Sequence, residues 1–106
     1  MSLPANLFAP LPDARDDEVF SELLKRPGCR IERIVSQGQA TPPEQPWCQP
    51  HEEWVVVLSG AARLLMEGRE FDLKPGDHLL IPANVEHRVT FTDPQQPTVW
   101  LAIHLQ

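Results

Sequence analysis

Residues 75–87 of the chain read PGDHLLIPANVEH. This stretch consists of a Pro-Gly-Asp turn, the short run His78–Ile81 and a second turn at residues 82–84 that leads to His87. Proline and glycine on both sides of a short apolar run are typical of a strand bounded by tight turns. We therefore expect one short strand here, with His87 at the beginning of the next.

The same pattern of short strands and turns continues through the chain from Arg30 onwards. Turn signals such as Ser59-Gly60 and Glu67-Gly68 separate runs that are either apolar or alternate apolar and polar residues. Strands punctuated in this way predict an all-β sandwich or barrel rather than alternating βαβ units. The predicted strands are residues 30–36, 53–58, 61–66, 69–73, 78–81, 87–92 and 98–105.

Residues 1–29 are predicted to form an N-terminal arm followed by a short helix. Prolines make the beginning of the chain irregular. Asp13 is a candidate N-cap for the helix, and Pro27-Gly28 is a candidate stop signal. The residues expected on its apolar face are Val19, Phe20, Leu23 and Leu24. The expected organisation is one domain, in which this segment precedes a β-barrel at residues 30–106.

The composition of the 106-residue chain excludes several classes of function. A net charge of −6 disfavours nucleic acid and anionic membranes as partners. The longest apolar runs, such as residues 54–58, are too short to span a bilayer, and residues 1–6 lack the pattern of a signal peptide. Cys29 and Cys48 have neither metal-site nor redox-motif spacing. We expect a cytoplasmic protein that binds neither nucleic acid nor a membrane.

Two segments carry side chains that could bind a metal ion or a small ligand. In the first, His51 and Glu53 lie two residues apart at the beginning of an apolar strand. Alternate residues of a strand point to the same face, so both side chains could face one cavity. If His87 of the second segment faces them, two imidazoles and one carboxylate form a set that suits Fe, Mn, Ni or Zn.

The second segment resembles the second sequence motif of the cupin superfamily. Gly76, Pro82 and His87 stand at the motif positions for glycine, proline and histidine. Asn84 stands where the family has glycine, a change that asparagine tolerates because it adopts the left-handed backbone conformation more easily than most residues. The resemblance covers residues 30–105 and implies a double-stranded β-helix, which is a barrel of the jelly-roll type.

The first segment resembles the first cupin motif in part. Glu53 and Gly60 match the end of that motif, whereas its two histidines fall on Trp47 and Gln49. The resemblance therefore implies a reduced form of the family's site of three histidines and one glutamate, and His51 is a local substitute. The predicted metal ligands are His51, Glu53, His87 and Gln49. Trp47 is predicted to form a wall of the pocket.

Other roles remain open for these candidates. Glu53 could instead form a surface salt bridge with Arg63, and His87 could be a core histidine held by a hydrogen bond. Histidine, glutamate and glutamine also differ in strength as ligands, because amides bind transition metals poorly. The divalent metal ion is therefore an expectation with an alternative, a pocket that holds no metal.

Alternation along two strands predicts an apolar outer surface. If Glu53 faces the interior, its neighbours in the strand face outwards. On the last strand, the aliphatic residues at 99, 101, 103 and 105 are expected inside. The residues expected on the outer surface, at an interface, are Trp54, Val56, Leu58, Trp100 and His104. A face this apolar needs a cover, so we expect the predicted helix, a second subunit or both to pack on it, with a homodimer as the expected state.

Three functions agree with these patterns. The leading one is a small metal-binding cupin with a pocket at the barrel mouth, where the ion would activate a small oxygen-containing ligand in oxygenase, isomerase or lyase chemistry. The second is a cupin that binds or senses a small ligand without metal. The third is a structural or interaction domain. The sequence leaves open whether the protein is an enzyme.

Overall fold

A computed structural model describes residues 3–106 as a sandwich of two antiparallel β-sheets. The strands are β1 Val19–Arg26, β2 Cys29–Ser36, β3 Glu52–Ser59, β4 Ala62–Met66, β5 Arg69–Leu73, β6 His78–Ile81, β7 His87–Thr92 and β8 Thr98–Leu105. Met1 and Ser2 lie outside the described residues. They are part of the predicted N-terminal arm and of residues 1–6, which are predicted to lack a signal peptide. No helix within residues 3–106 is long and apolar enough to cross a membrane.

The larger sheet has the strand order β1-β2-β8-β3-β6, and the smaller has the order β5-β4-β7. Strands that are distant in sequence are neighbours in space, since β8 lies between β2 and β3. All seven strands predicted from residue 30 onwards are present, with ends that differ by at most one residue. The core between the sheets contains Val55, Val57, Ala62, Leu64, Leu73, Ile81, Trp100 and Ala102. The all-β prediction is therefore confirmed.

The predicted N-terminal helix is wrong, because the residues assigned to it form β1. Pro27 and Gly28 do not end a helix but occupy the two central positions of a hairpin turn, with Arg26 paired to Cys29. Gly28 has a φ of +80°, and proline followed by a glycine in this conformation is the signature of a type II turn. The apolar spacing of β1 fits one helix face, but pairing along β2 satisfies its backbone groups and prevails.

Asp13 caps a turn rather than a helix. Its Oδ1 accepts a hydrogen bond from the backbone N–H of Arg15 at 3.0 Å, and its Oδ2 lies 2.8 Å from the Arg15 guanidinium. These two hydrogen bonds, led by the one from the guanidinium, lower the pKa of Asp13 to about 2. Asp13 therefore caps a backbone N–H as its residue type favours, but the element that follows is a turn and not a helix.

The register between β3 and β8 decides which residues of β8 face the core. Glu53 pairs with His104, and Val57 pairs with Trp100. Because directly paired residues project to the same face of a sheet, Trp100 and His104 point inwards with Glu53. They are 3% and 4% exposed. The prediction that these two residues lie at an outer interface is therefore wrong, since it assumed that an aliphatic face must be the inner one.

The outer face of the larger sheet carries an apolar row that includes Trp54. One row of directly paired residues crosses all five strands, namely Leu24, Ile31, Ile103, Trp54 and Leu80. Of the other predicted outer residues, Val56 is 9% exposed and Leu58 is half-buried. The N-terminal arm is attached to the outer face, because Arg33 Nη1 donates to the carbonyl oxygens of Leu7 at 3.1 Å and Pro10 at 3.4 Å.

Candidate ligand site

A cavity of about 290 Å³ lies between the two sheets. Its polar lining consists of Glu18, Arg30, Glu32, Gln49, Glu53, His87 and His104. Its aromatic lining consists of Phe20, Trp47 and Trp100, and aliphatic side chains complete it. This volume is at the lower end of the range for small-molecule pockets, so the cavity suits a small ligand.

The two segments singled out in the sequence meet on one wall of this cavity. The backbone N–H of Trp47 donates to the carbonyl of His87 at 2.8 Å, and the N–H of His87 donates to the carbonyl of Trp47 at 2.9 Å. The N–H of Asn84 donates to the carbonyl of Gln49 at 2.6 Å. Asn84 has a φ of 63°, as expected for a residue in the position of a glycine. The structure thus brings Trp47, Gln49, Glu53 and His87 around one cavity.

One ring nitrogen of His87 has no hydrogen-bond partner within residues 3–106. Its Nδ1 lies 3.1 Å from the carbonyl oxygen of Val85, and a carbonyl can only accept. Nδ1 therefore carries the proton, and Nε2 of the neutral ring keeps a free lone pair. His87 is 6% exposed and lines the cavity. Proteins orient ligand-binding imidazoles by this kind of hydrogen bond to the distal nitrogen.

Glu53 is a cavity carboxylate and not a member of a surface salt bridge. It is 8% exposed, and its Oε1 accepts a hydrogen bond from Gln49 Nε2 at 2.8 Å. Arg63, the alternative partner, is bound to Asp72 at 2.8 Å on the other sheet. The Glu53 side chain therefore contributes its carboxylate to the cavity wall.

His51 lies outside this wall. Its Nε2 is 2.9 Å from His104 Nδ1, and the two rings meet edge to face with centroids 5.1 Å apart. His51 is not among the residues that line the cavity. The predicted grouping of His51 with Glu53 and His87 is therefore not formed. His51 precedes β3, so the alternation of a strand does not fix its direction.

The cavity does not fit the family's site of three histidines and one glutamate. At the four motif positions stand Trp47, Gln49, Glu53 and His87, and only the last two are side chains that transition metals favour. Within residues 3–106 no group of three or more His, Cys, Asp or Glu side chains is arranged to hold a metal ion.

A second polar wall, which the sequence analysis missed, is formed by β2 and β8. Glu32 Oε1 accepts a hydrogen bond from His104 Nε2 at 2.7 Å, and Glu32 Oε2 accepts one from Arg30 Nη1 at 2.9 Å. Glu32 is 7% exposed. Arg30 and Glu32 are alternate residues of β2, so the sequence does signal that they share a face. Only the pairing of β2 with β8 shows that this face meets His104.

Glu18 adds a third carboxyl group to the cavity. Its Oε2 accepts a hydrogen bond from the Ser36 hydroxyl at 2.5 Å. Burial raises the pKa of Glu18, the charge of Glu32 raises it further, and the hydrogen bond from Ser36 opposes both. This residue precedes β1, in the segment predicted to be a helix, and nothing in the local sequence signals that it joins the cavity.

The fold and the site together define a class of protein. It is a small antiparallel β-sandwich with an inward cavity, framed by two turn-and-strand segments, one of which delivers a buried histidine. The family model of the cupin domain matches residues 33–104. The chain belongs to the cupin family.

Solved structures agree with this assignment. The "putative mannose-6-phosphate isomerase" of Ralstonia eutropha JMP134 is 47% identical, covers 99% of both chains and superposes with a TM-score of 0.93. A cupin superfamily protein of Desulfitobacterium hafniense DCB-2 has a TM-score of 0.81 at 18% identity, with coverage of 99% of this chain and 92% of the other. At that identity the second likeness shows the fold alone. Comparison with curated proteins finds no match.

Proposed function

We propose that this protein is a small-molecule-binding cupin whose cavity takes a neutral, hydroxyl-rich ligand and needs no resident metal ion. The observation that carries the proposal is a group of hydrogen-bond acceptors that line the cavity. Glu18 and Glu53 each engage only one carboxyl oxygen in a hydrogen bond with residues 3–106, and His87 Nε2 has no partner among these residues. Hydroxyl groups of a ligand donate to such acceptors, so a polyol or a sugar satisfies several of them at once.

The charge of the cavity supports this choice of ligand. Among the described residues that line the cavity, Arg30 is the only lysine or arginine, and its Nη1 is already bound to Glu32. An anionic ligand would face three carboxyl groups with little compensation. The rings of Trp47 and Trp100 add flat apolar surfaces on which the C–H faces of a sugar can pack.

The likeness to the Ralstonia eutropha protein supports a sugar-related ligand. That protein's printed name refers to a sugar phosphate isomerase, and the two chains are 47% identical. An isomerase is accordingly the second candidate function, favoured by Glu53 and His87, which both present proton-accepting atoms to the cavity. Metal-assisted chemistry and the binding of Fe, Mn, Ni or Zn stay predictions from the motif resemblance.

Ligand binding is tested with the tag-free protein, prepared without chelator. Tryptophan fluorescence and the melting temperature are measured against mannose, mannose 6-phosphate, glycerol and an alkylamine. We expect saturable responses to the neutral sugar or polyol that are lost in Glu53→Gln. They should be unchanged in the control Asp72→Asn, which alters an exposed carboxylate on the smaller sheet. Responses to the amine or the phosphate alone would overturn the proposed ligand class.

The metal question is decided in the same samples. Elemental analysis by mass spectrometry is made on the wild type and on His87→Ala. A near-stoichiometric divalent metal in the wild type that disappears in the variant would replace our proposal by the metal-binding function. Isomerase activity is tested by deuterium incorporation into mannose or mannose 6-phosphate in D₂O, and the absence of incorporation into both would remove the second candidate.

Two further proposals concern the cellular compartment and the oligomeric state of the protein. We propose a reducing compartment such as the cytoplasm, supported by Cys29 and Cys48, which are both free thiols. We also propose a homodimer that covers the apolar outer face of the larger sheet.

A further inference from the structure

A second cavity, of about 510 Å³, lies beside the candidate ligand site. Glu18, Trp47 and Val89 line both cavities, so the two share a boundary. The remaining walls of the second cavity, which we call the side chamber, come from the segment before β1 and from the loop at residues 39–47. The proposed function concerns the first cavity and gives the side chamber no role.

The loop that forms the side chamber is attached to β7 near both of its ends. At one end, the backbone N–H of Thr41 donates to the carbonyl of Val89 at 2.8 Å, and Thr41 Oγ1 accepts from the N–H of Val89 at 3.0 Å. At the other end, Trp47 and His87 exchange two backbone hydrogen bonds. Three prolines between these points restrict the backbone further. The side chamber is therefore preformed, as small-molecule sites usually are.

Trp47 stands at the boundary between the two cavities and is 50% exposed. Its backbone is held on β7 by the hydrogen bonds with His87, and an indole has few rotatable bonds. A tryptophan presented in this way offers a large contact area at a low cost in conformational entropy. Its flat face suits the C–H face of a sugar ring.

The polar groups of the side chamber resemble those of the first cavity. Asp17 and Glu18 offer carboxyl oxygens, and the amide of Gln45 can both donate and accept a hydrogen bond. Among the described residues that line the side chamber there is no lysine or arginine. A phosphate or carboxylate group would meet carboxylates here without a compensating cation. The side chamber therefore suits a second neutral unit that carries hydroxyl groups.

The structure points to the side chamber as a second subsite for the same ligand, which is then a disaccharide or another neutral glycoside rather than a single sugar. One unit occupies the first cavity, and the next lies against Trp47 with its hydroxyl groups towards Asp17 and Gln45. This inference rests on the proposed function, because it adds a second unit to the ligand class assigned to the first cavity. The small size of the first cavity agrees with a site for one sugar unit.

The second subsite is tested by isothermal titration calorimetry of the tag-free protein with mannose and with mannobioses of different linkage. We expect at least one mannobiose to bind about tenfold more tightly than mannose, because an added hydrogen bond and a packed ring face contribute on this scale. Mannose that binds at least as tightly as every mannobiose would overturn the second subsite and leave the proposed function standing. No binding of any of these sugars would overturn the proposed function, and the second subsite with it.

Variants assign the gain in affinity to the side chamber. Gln45→Ala and Trp47→Leu are each expected to bring the affinity for the mannobiose close to that for mannose. Gln45 lines the side chamber and not the first cavity, so its effect is specific to the second unit. Gln95→Ala, at an exposed glutamine that lines neither cavity, is the matched control and should keep the tenfold gain.

Two results with these variants would overturn the proposal. The first is a gain in affinity that survives in either Gln45→Ala or Trp47→Leu. The second is a wild-type dimer that becomes a monomer in Trp47→Leu by sedimentation equilibrium, since the exposed indole would then belong to a contact between copies of the chain. The melting temperature of each variant without ligand verifies that it is folded.

Discussion

His104 on β8 pairs directly with Glu53 on β3, and its Nδ1 lies 4.0 Å from Glu53 Oε1. This pairing joins two walls of different origin. Glu53 belongs to a segment that resembles a family motif, whereas His104 and its partner Glu32 belong to neither motif. Buried polar groups interact strongly with one another at low dielectric. A substitution on one wall is therefore expected to affect the electrostatic interactions of the residues on the other wall.

Glu32 should contribute to stability through its buried hydrogen bond from His104 and its part-buried hydrogen bond from Arg30. The Glu32→Gln variant is expected to lose about 1–3 kcal/mol of the free energy of unfolding, because Arg30 and His104 lose a charged acceptor. Urea unfolding measures the loss. Asp72→Asn, in the exposed pair with Arg63, is the comparison and is expected to lose less than about 1 kcal/mol. Equal losses in the two variants would contradict a structural role for the buried network.

The fold and half of the site follow from local signals in the sequence. The turns around Gly76 and Asn84 are encoded by residues that favour a positive φ, so the strand that leads to His87 could be predicted. The direction of His104 could not, because it depends on the register between β3 and β8, which are far apart in the chain. The segment of β1 has a spacing compatible with either a helix or a strand, and only its partner β2 decides between them.

Gly60 should be far less tolerant of substitution than Gly68. Both have a positive φ, of 90° and 75°, so an added side chain costs backbone strain at either position. A Cβ at Gly60 would lie 2.6 Å from the Cα of Thr98, whereas one at Gly68 would meet nothing within 4 Å. We expect Gly60→Ala to lose about 2 kcal/mol more than Gly68→Ala in urea unfolding. Similar losses would show that β3 and β8 can separate at this point without cost.

Glu18 should make the protein less stable as the pH rises. Burial raises its pKa above the ordinary value of 4.5, so the folded state holds the proton more tightly than the unfolded state. The contribution of this group is therefore greatest below about pH 4.5 and is lost as the pH rises through the raised pKa. Glu18→Gln, which resembles the protonated form and can still accept from Ser36, is expected to raise Tm at pH 7 by a few degrees.

The control for this prediction is the same comparison in acid. At about pH 3.5 the wild-type carboxyl group is protonated in both states, so the two proteins should melt at nearly the same temperature. A variant that is less stable than the wild type at pH 7 would show that the Glu18 carboxylate is stabilised by groups in the cavity.

The apolar row on the outer face should hold two copies of the chain together. Trp54 pairs with Ile103 on one side and with Leu80 on the other, so these side chains form a continuous surface. An apolar surface that crosses five strands is unfavourable in water, and a two-fold axis would place the row against itself. We expect sedimentation equilibrium to give a dimer at micromolar concentration and Trp54→Glu to give a monomer. Phe91→Glu, at an exposed position on the smaller sheet, should stay dimeric. A monomeric wild type would remove the proposed dimer, and a dimer that survives Trp54→Glu would place the interface elsewhere.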